Sequence, residues 1–492
     1  MATESIKSSA ISAVKWSTIS QIGSYGITFV LSIILARLLD PSEFGLTGML
    51  SIFTGIAVVF INSGLSTAII RTKDASLDDY STVFYFNIAV STAFYLLFFF
   101  TAPLIAAFYK EPILIPLTRL ITLVFLINSF GIIQNAILIK EINFKKQTIC
   151  NLIGLVASVI VSAIMAFNSY GVYSIVGQAI SQAFVTNLLL WISSKWRPSG
   201  RFSKSSFMKL WQFGSKVLAT TIVAQIIDNL DNLLIGKIFS AGQLGYYVRA
   251  KSTKQLPEQI FSSVMSTTSF AVLAKMSDND SEFRRVHMHF FKLGAYIFIP
   301  VIIGFIAVAK SFIVVLYSDK WLPSVPLFQI IALSSFAYFF GVLFSQTIIA
   351  KGAGKLYFRL TTGKKILGLL SMPFGLFWGL IPFLCSFVVI SMICLTLDIY
   401  FTGKLINVSI FDYLLMLFKP IITSAIMGLV VYLITFLPIS SLLIVLTLQV
   451  FIGVIVYILL SVIFKTAEFL YIKQLVMDKL HIRIKSYKNK KG

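Results

Sequence analysis

Two carboxylates lie in an otherwise apolar stretch, Asp228 and Asp231 in QIIDNLDNLLIGK (225–237). A carboxylate at bilayer depth costs at least ~2.5 kcal/mol on insertion scales, so such residues usually mark a functional site. Gln225 and Asp228 share one face of a helix because they are three residues apart, and Asp231 lies beside that face. The spacing predicts a polar stripe on one transmembrane helix.

The next apolar segment begins with several charged residues, in GYYVRAKSTKQLPEQI (245–260). Lys251, Lys254 and Glu258 fall on one helix face, whereas Arg249 points elsewhere. The loop FSAGQLG is short, so we expect the two helices to be neighbours, with the three cations near the aspartates as countercharges. Two interpretations stay open. In the first, the cluster is structural and its ion pairs lock the two helices together. In the second, it forms a cationic site, and the carboxylates either adjust the charge of that site or bind a coupling cation, H+ or Na+.

The first apolar segment opens with WSTISQIGSYGIT (16–28), which is unusually polar for contact with lipid. Its polar residues recur at three- and four-residue steps and therefore share a face. Small and hydroxylated residues can serve helix packing, and the same face can instead line a cavity, with Gln21 as the candidate contact. The residues of this face are Ser17, Ser20, Gln21, Ser24 and Thr28.

The composition indicates that membrane-spanning helices position these residues. The chain has 492 residues, 57% of them hydrophobic and only 12% charged, whereas soluble domains are about a quarter charged. Apolar segments of about 20 residues predict an all-α polytopic membrane protein with fourteen spans, among them 246–271 and 362–381. The loops are too short to hold a separate catalytic domain.

The net charge of +22 does not require nucleic acid as a partner. Most of the 41 Lys and Arg fall in alternate loops and in the C-terminal tail, and the positive-inside rule then places both termini in the cytoplasm. The tail KLHIRIKSYKNKKG is expected to lie on anionic membrane lipids. His287 and His289 fall in a charged stretch that we expect to be a solvated loop without a functional role.

The chain contains a weak internal repeat. LARLLDPSEFGLTGM (35–49) aligns with IGKIFSAGQLGYYVR (235–249), so that Gly45 matches Gly245. A later pair of segments aligns Tyr109 with Tyr317 in the same order. Two matches in order favour a duplicated unit, and an even number of spans in each copy predicts two parallel six-helix lobes with a hydrated cavity between them.

The predicted division of the chain follows from this repeat. Residues 1–195 form an N-lobe of spans 1–6, and residues 196–210 form a basic cytoplasmic linker. Residues 211–404 form a C-lobe of spans 7–12. Residues 405–465 hold the additional spans 13 and 14, and residues 466–492 form a basic cytoplasmic tail.

Several catalytic chemistries have no support in the sequence. GAGK (352–355) lacks the first glycine of a phosphate-binding loop because residue 349 is isoleucine. Cys150, Cys385 and Cys394 are isolated, so neither a disulfide framework nor a metal site is indicated. We expect a protein that is not an enzyme and has no cofactor.

The chain resembles the bacterial polysaccharide transport family, within the multidrug/oligosaccharidyl-lipid/polysaccharide exporter superfamily. The resemblance begins in KWSTISQIGSYGITFVLSIILARLLDPSEFGLTGM (15–49) and is nearest to the colanic-acid-exporter branch. It is specific in LARLLDPSEFG and in the aspartate-to-LGYYVRA segment, and it covers at least residues 15–350. Asp231 and Arg249 fall on positions where the family commonly carries those residue types.

The resemblance implies a flippase of the bacterial inner membrane. Its cargo would be an undecaprenyl-diphosphate-linked oligosaccharide, moved by alternating access and passed to polysaccharide polymerase machinery for O-antigen, capsule or exopolysaccharide assembly. It also implies a positively charged cavity for the diphosphate. A multidrug or metabolite exporter of the same superfamily is the alternative. A membrane polysaccharide polymerase or ligase would need a larger outer loop than this chain has.

Overall fold

The structure is a computed structural model that describes residues 2–62, 64–474 and 477. Within these ranges the regular structure is helical, and no β-strand occurs. The α-helices are α1 Ala2–Leu38, α2 Pro41–Asn62, α3 Leu65–Arg71, α4 Leu77–Tyr109, α5 Leu114–Ile121, α6 Leu123–Lys140, α7 Phe144–Phe167, α8 Tyr173–Ser193, α9 Lys204–Ile238, α10 Ala241–Lys275, α11 Asp280–Tyr317, α12 Ser324–Ala332, α13 Ser335–Ala350, α14 Gly354–Leu369, α15 Met372–Trp378, α16 Leu380–Ile406, α17 Ile410–Leu433 and α18 Leu442–Ile463.

Local sequence explains several helix ends. Proline occupies the first position of α2, where a missing N–H has no cost. Ser76 and Asp79 form a capping box at the start of α4, since each side chain accepts a hydrogen bond from the other residue's backbone N–H. Ser409 and Asp412 repeat this arrangement at the start of α17. These polar caps fix where the long apolar helices begin.

Twelve helical segments in the described ranges are long and apolar enough to cross a membrane. The predicted spans 246–271 and 362–381 are not among them. The first lies in α10, whose initial turns carry four charged residues, and the second is interrupted between α14 and α15. The count of fourteen spans and the cytoplasmic location of the termini therefore stay predictions. Residues 478–492 of the basic tail lie outside the described residues.

The helices form two compact units, Met1–Val248 and Arg249–Gly492. In the first unit α7 packs against α1 and α8, and α9 packs against α2, α3 and α4. The basic segment before α9 is fixed to the start of α4, because Gly200 N donates to Ser81 Oγ at 3.0 Å and Ser203 N donates to Thr82 Oγ1 at 2.9 Å. The predicted lobe boundary at 196–210 stays a prediction.

The second unit is organised around α11. Its core contains large aromatic side chains such as Phe291 and Phe340, which are essentially fully buried. The two additional C-terminal helices, α17 and α18, both pack on α11. Tyr457 OH of α18 donates to the backbone oxygen of Tyr296 at 2.7 Å, and Tyr296 OH donates to Ser461 Oγ at 2.9 Å. Polar contacts of this kind hold α18 against α11.

His287 corrects one sequence prediction, because it is fully buried within α11 and not in a solvated loop. Its Nδ1 lies 2.8 Å from Thr347 Oγ1, and its Nε2 lies 2.8 Å from Tyr413 OH. The imidazole therefore links α11 to α13 and α17. The prediction was wrong because α11 begins at Asp280, so the charged residues around the histidine form a helix with one buried face.

Candidate functional site

Asp231 is tied to the beginning of α10 within the first unit. Its Oδ2 accepts a hydrogen bond from Tyr247 OH at 2.5 Å, and its Oδ1 accepts from the backbone N–H of Asn232 at 2.8 Å. The carboxylate is half-buried and Tyr247 is buried. Hydrogen bonds to a carboxylate replace part of the hydration that it loses in an apolar environment. The structure thus supplies one way to offset the cost of an acid in this helix.

The polar stripe on α9 serves more than one purpose. A Cβ on Gly55 would lie 2.1 Å from Gln225 Nε2, so the amide of Gln225 packs directly on the backbone of α2. Asn232 Nδ2 donates to Ser51 Oγ of α2 at 2.9 Å. Asp228, in contrast, is exposed. Gln225 and Asn232 therefore hold α9 against α2, and Asp228 is more exposed than either of them.

Arg249 lies at the start of the second unit and is 4% exposed. Its guanidinium carbon is 4.7 Å from the ring centre of Tyr317 and 5.0 Å from that of Trp321. Both rings are buried. A guanidinium over aromatic faces is stabilised by cation–π attraction of about 0.5–2 kcal/mol or more. The two rings fix the position of a cation that is costly to bury.

Lys254 and Glu258, which the sequence places on one helix face, form an ion pair on α10. Lys254 Nζ lies 3.2 Å from Glu258 Oε1 and donates to Ser334 Oγ at 2.8 Å. Glu258 is 4% exposed, and Lys251 is half-buried on the same helix. The predicted role of Asp228 and Asp231 as partners of the α10 cations stays a prediction.

A second buried ion pair was missed by the sequence analysis. Lys364 Nζ of α14 donates to both carboxylate oxygens of Asp398 on α16, at 2.8 and 2.7 Å. Asp398 is buried, and Gly341 of α13 approaches its carboxylate closely. The signal was available, since an aspartate in the apolar run ICLTLDIYF (393–401) requires a partner.

The polar residues of α1 lie in two different environments in the structure. Ser24 and Thr28 line a cavity of about 610 Å³ inside the first unit, together with residues of α6, α7 and α8. Gln21 is exposed and is not part of this lining. Ser24 and Thr28 of this face thus line a cavity, and the predicted role of Gln21 as a cargo contact stays a prediction.

The two glycines that the sequence alignment matches, Gly45 and Gly245, make equivalent close contacts in the first unit. A Cβ on Gly45 would lie 1.7 Å from the backbone oxygen of Ala241, and a Cβ on Gly245 would lie 1.7 Å from that of Pro41. Pro41 begins α2 and Ala241 begins α10. Each glycine thus packs on the first residue of the other glycine's helix. Only glycine permits this separation of the two backbones.

Comparison with known proteins gives consistent results. A family described as "Polysaccharide biosynthesis protein" matches residues 34–326. Teichuronic acid biosynthesis protein TuaB of Bacillus subtilis (strain 168) is 25% identical over 434 residues, which cover 87% of this chain and 89% of that protein. Lipopolysaccharide biosynthesis protein WzxC of Escherichia coli (strain K12) is 24% identical over 427 residues, with 85% and 86% covered.

Among solved structures, the lipid II flippase MurJ in an inward closed conformation matches with a TM-score of 0.75. The alignment covers 92% of this chain and 98% of that chain at 20% sequence identity. At this identity the likeness establishes the fold alone. It agrees with the predicted exporter-type fold of a multi-pass membrane protein.

Proposed function

We propose, from the premise that this chain belongs to the polysaccharide biosynthesis protein family, that it is a flippase for undecaprenyl-diphosphate-linked oligosaccharides. The cargo would cross a bacterial inner membrane by alternating access and then reach polymerisation machinery for O-antigen, capsule or exopolysaccharide. The names of two relatives, which refer to teichuronic acid and lipopolysaccharide biosynthesis, support this proposal. The chain would act without a catalytic step.

The observation that carries the proposal is the set of held cations at the start of α10. A diphosphate cannot enter hydrocarbon unaided, because removing water from an anion is prohibitive. Arg249 is fixed by two buried rings and Lys254 by Glu258 and Ser334. Fixed cations can give charge-assisted hydrogen bonds to phosphate oxygens. Lys251 adds a third positive charge to this region of the helix.

The acids of α9 would regulate this binding. Asp231 is held by Tyr247, whereas Asp228 is exposed. A cation, H+ or Na+, that neutralises one of them would change the electrostatic potential felt by an anionic cargo. In the proposal, Asp228 and Asp231 therefore couple an ion gradient to transport.

The contact between the matched glycines would act as a gate. Gly45 and Gly245 bring the first turns of α2 and α10 into direct backbone contact. Both turns belong to loops that the positive-inside rule places at the outer surface. Alternating access requires this contact to open when the cargo leaves.

The cargo can be identified in cells. A strain that lacks this gene should accumulate undecaprenyl-diphosphate-linked oligosaccharide, recognised by mass, and should lose surface polysaccharide. Return of the wild-type gene should reverse both effects, and return of an Arg249→Ala variant that inserts normally should reverse neither. An unchanged lipid-linked pool, accompanied by sensitivity to toxic organic cations, would instead indicate a drug exporter.

A further inference from the structure

A cavity of about 610 Å³ lies inside the first unit, bounded by α1, α6, α7 and α8. Its volume is within the ~300–1,000 Å³ of typical small-molecule sites. Asn151 of α7 and Gln178 and Gln182 of α8 contribute amides to its wall. These helices are otherwise apolar enough to span a membrane. Three amides facing one cavity in such helices require a physical explanation.

The wall of this cavity is polar and uncharged. Hydroxyls come from Ser24, Thr28 and Thr186, and a further amide comes from Asn128. Among the described residues that line it, none is acidic or basic. A charged headgroup would have no counterion here. The lining suits a ligand that offers hydroxyl and amide groups.

The three amides are not consumed by contacts within the protein. In the described part of the chain, the side chains of Asn151, Gln178 and Gln182 make no hydrogen bond to another residue. Neighbouring amides do pair, since Asn187 Nδ2 donates to Asn128 Oδ1 at 3.0 Å. Each amide offers two N–H donors and an acceptor oxygen. The three side chains are half-buried, so their donors and acceptors are available to a hydrogen-bonding molecule in the cavity.

We propose that this cavity binds uncharged sugar residues of the lipid-linked oligosaccharide, and this inference rests on the proposed function. Sugar hydroxyl and acetamido groups both donate and accept hydrogen bonds, as the amides of Asn151, Gln178 and Gln182 do. The cations of α10 recognise the diphosphate, and the amide cavity recognises the glycan. Charged side chains are thus proposed for the charged part of the cargo, and uncharged amides for its uncharged part.

The experiment compares two lipids on the full-length protein in nanodiscs. One probe is undecaprenyl diphosphate, which carries no sugar. The other is the undecaprenyl-diphosphate oligosaccharide extracted from the deletion strain. The test variant combines Asn151→Leu with Gln182→Met, which removes the amides at similar volume and makes both helices more apolar, so membrane insertion is not impaired. The control is Asn168→Leu, at the exposed residue that follows α7.

Two lost hydrogen bonds of about 1 kcal/mol each should weaken binding of the oligosaccharide lipid about 30-fold. Affinity for undecaprenyl diphosphate should stay within about twofold, which also shows that the variant is folded. The control should bind both lipids as the wild type does. Equal weakening for both lipids, or no weakening for either, would show that these amides do not recognise the glycan and would overturn the inference. Wild-type protein that binds neither lipid would overturn the proposed function itself.

Discussion

The matched glycine contact allows a quantitative prediction. Replacing Gly245 by alanine places a Cβ 1.7 Å from the backbone oxygen of Pro41, whereas real Cβ contacts are not shorter than 3.0 Å. The first turns of α2 and α10 must therefore separate by about 1.3 Å, which is 3.0 minus 1.7 Å. Overpacking of this kind costs about 1–3 kcal/mol. If the contact is a gate, this shifts the equilibrium toward its open form by about 5- to 150-fold.

Labelling of a buried thiol can measure this shift. Met49 is 1% exposed and lies one turn after Gly45 on α2. In a background without the native cysteines, Met49→Cys should react with a membrane-impermeant maleimide only when the contact opens. Gly245→Ala should raise the reaction rate in intact cells by about 5- to 150-fold. Gly45→Ala should do the same, because the two contacts are reciprocal.

The matched control is Gly242→Ala, the same change in the same turn of α10. The nearest atom to a Cβ at this position is Ser240 Oγ at 3.8 Å, which is ordinary contact. Its labelling rate should equal that of the parent protein. Equal rates for Gly242→Ala and Gly245→Ala would refute the assignment of the glycine pair as a gate.

Three further predictions follow from the polar contacts of the two units. Glu258→Gln should reduce surface polysaccharide less than Lys254→Gln, because the lysine is proposed to contact phosphate while the glutamate only holds it; quantification of polymer at equal protein levels checks this order, and the reverse order contradicts it. Lys364→Met should lower the thermal unfolding midpoint in detergent, since an isolated buried Asp398 costs about 3–5 kcal/mol, and Lys364→Met with Asp398→Leu should recover most of the loss; a double variant as unstable as the single one would exclude this reason. His287→Phe should lower the midpoint by the equivalent of about 1–3 kcal/mol because it leaves buried Thr347 and Tyr413 hydroxyls without this partner; an unchanged midpoint would show that neither bond stabilises the fold.

The sequence was most informative where residues violate the apolar pattern. Asp231 and Lys254 stand out because charges are rare in spanning helices, and spacing placed Lys254 and Glu258 on one helix face, where the structure pairs them. The alignment of Gly45 with Gly245 likewise identified two residues that pack in equivalent ways. In these cases the residues are either close together in the sequence or related by the internal sequence match, so the sequence alone identifies them.

Other features depend on contacts that spacing cannot reveal. Arg249 is held by Tyr317 and Trp321, which belong to distant elements of the chain. The cavity amides of Asn151, Gln178 and Gln182 were overlooked because Asn and Gln disturb hydropathy less than charges do, and their convergence arises from the packing of four helices. Charged neighbours concealed the buried face that carries His287.

The side of the membrane on which the glycan lies tests the central claim most directly. Periodate oxidises sugars with adjacent hydroxyls and does not cross an intact membrane in the cold, so it can be added to spheroplasts of a strain that makes the lipid-linked oligosaccharide without polymerising it. With the wild-type chain, the extracted oligosaccharide should show the mass of the oxidised sugar, and without it, or with Asp231→Asn or Arg249→Ala, the sugar should stay intact. A glycan that is protected in the presence of the wild-type chain, or oxidised equally in its absence, would contradict the assignment of this protein as the flippase.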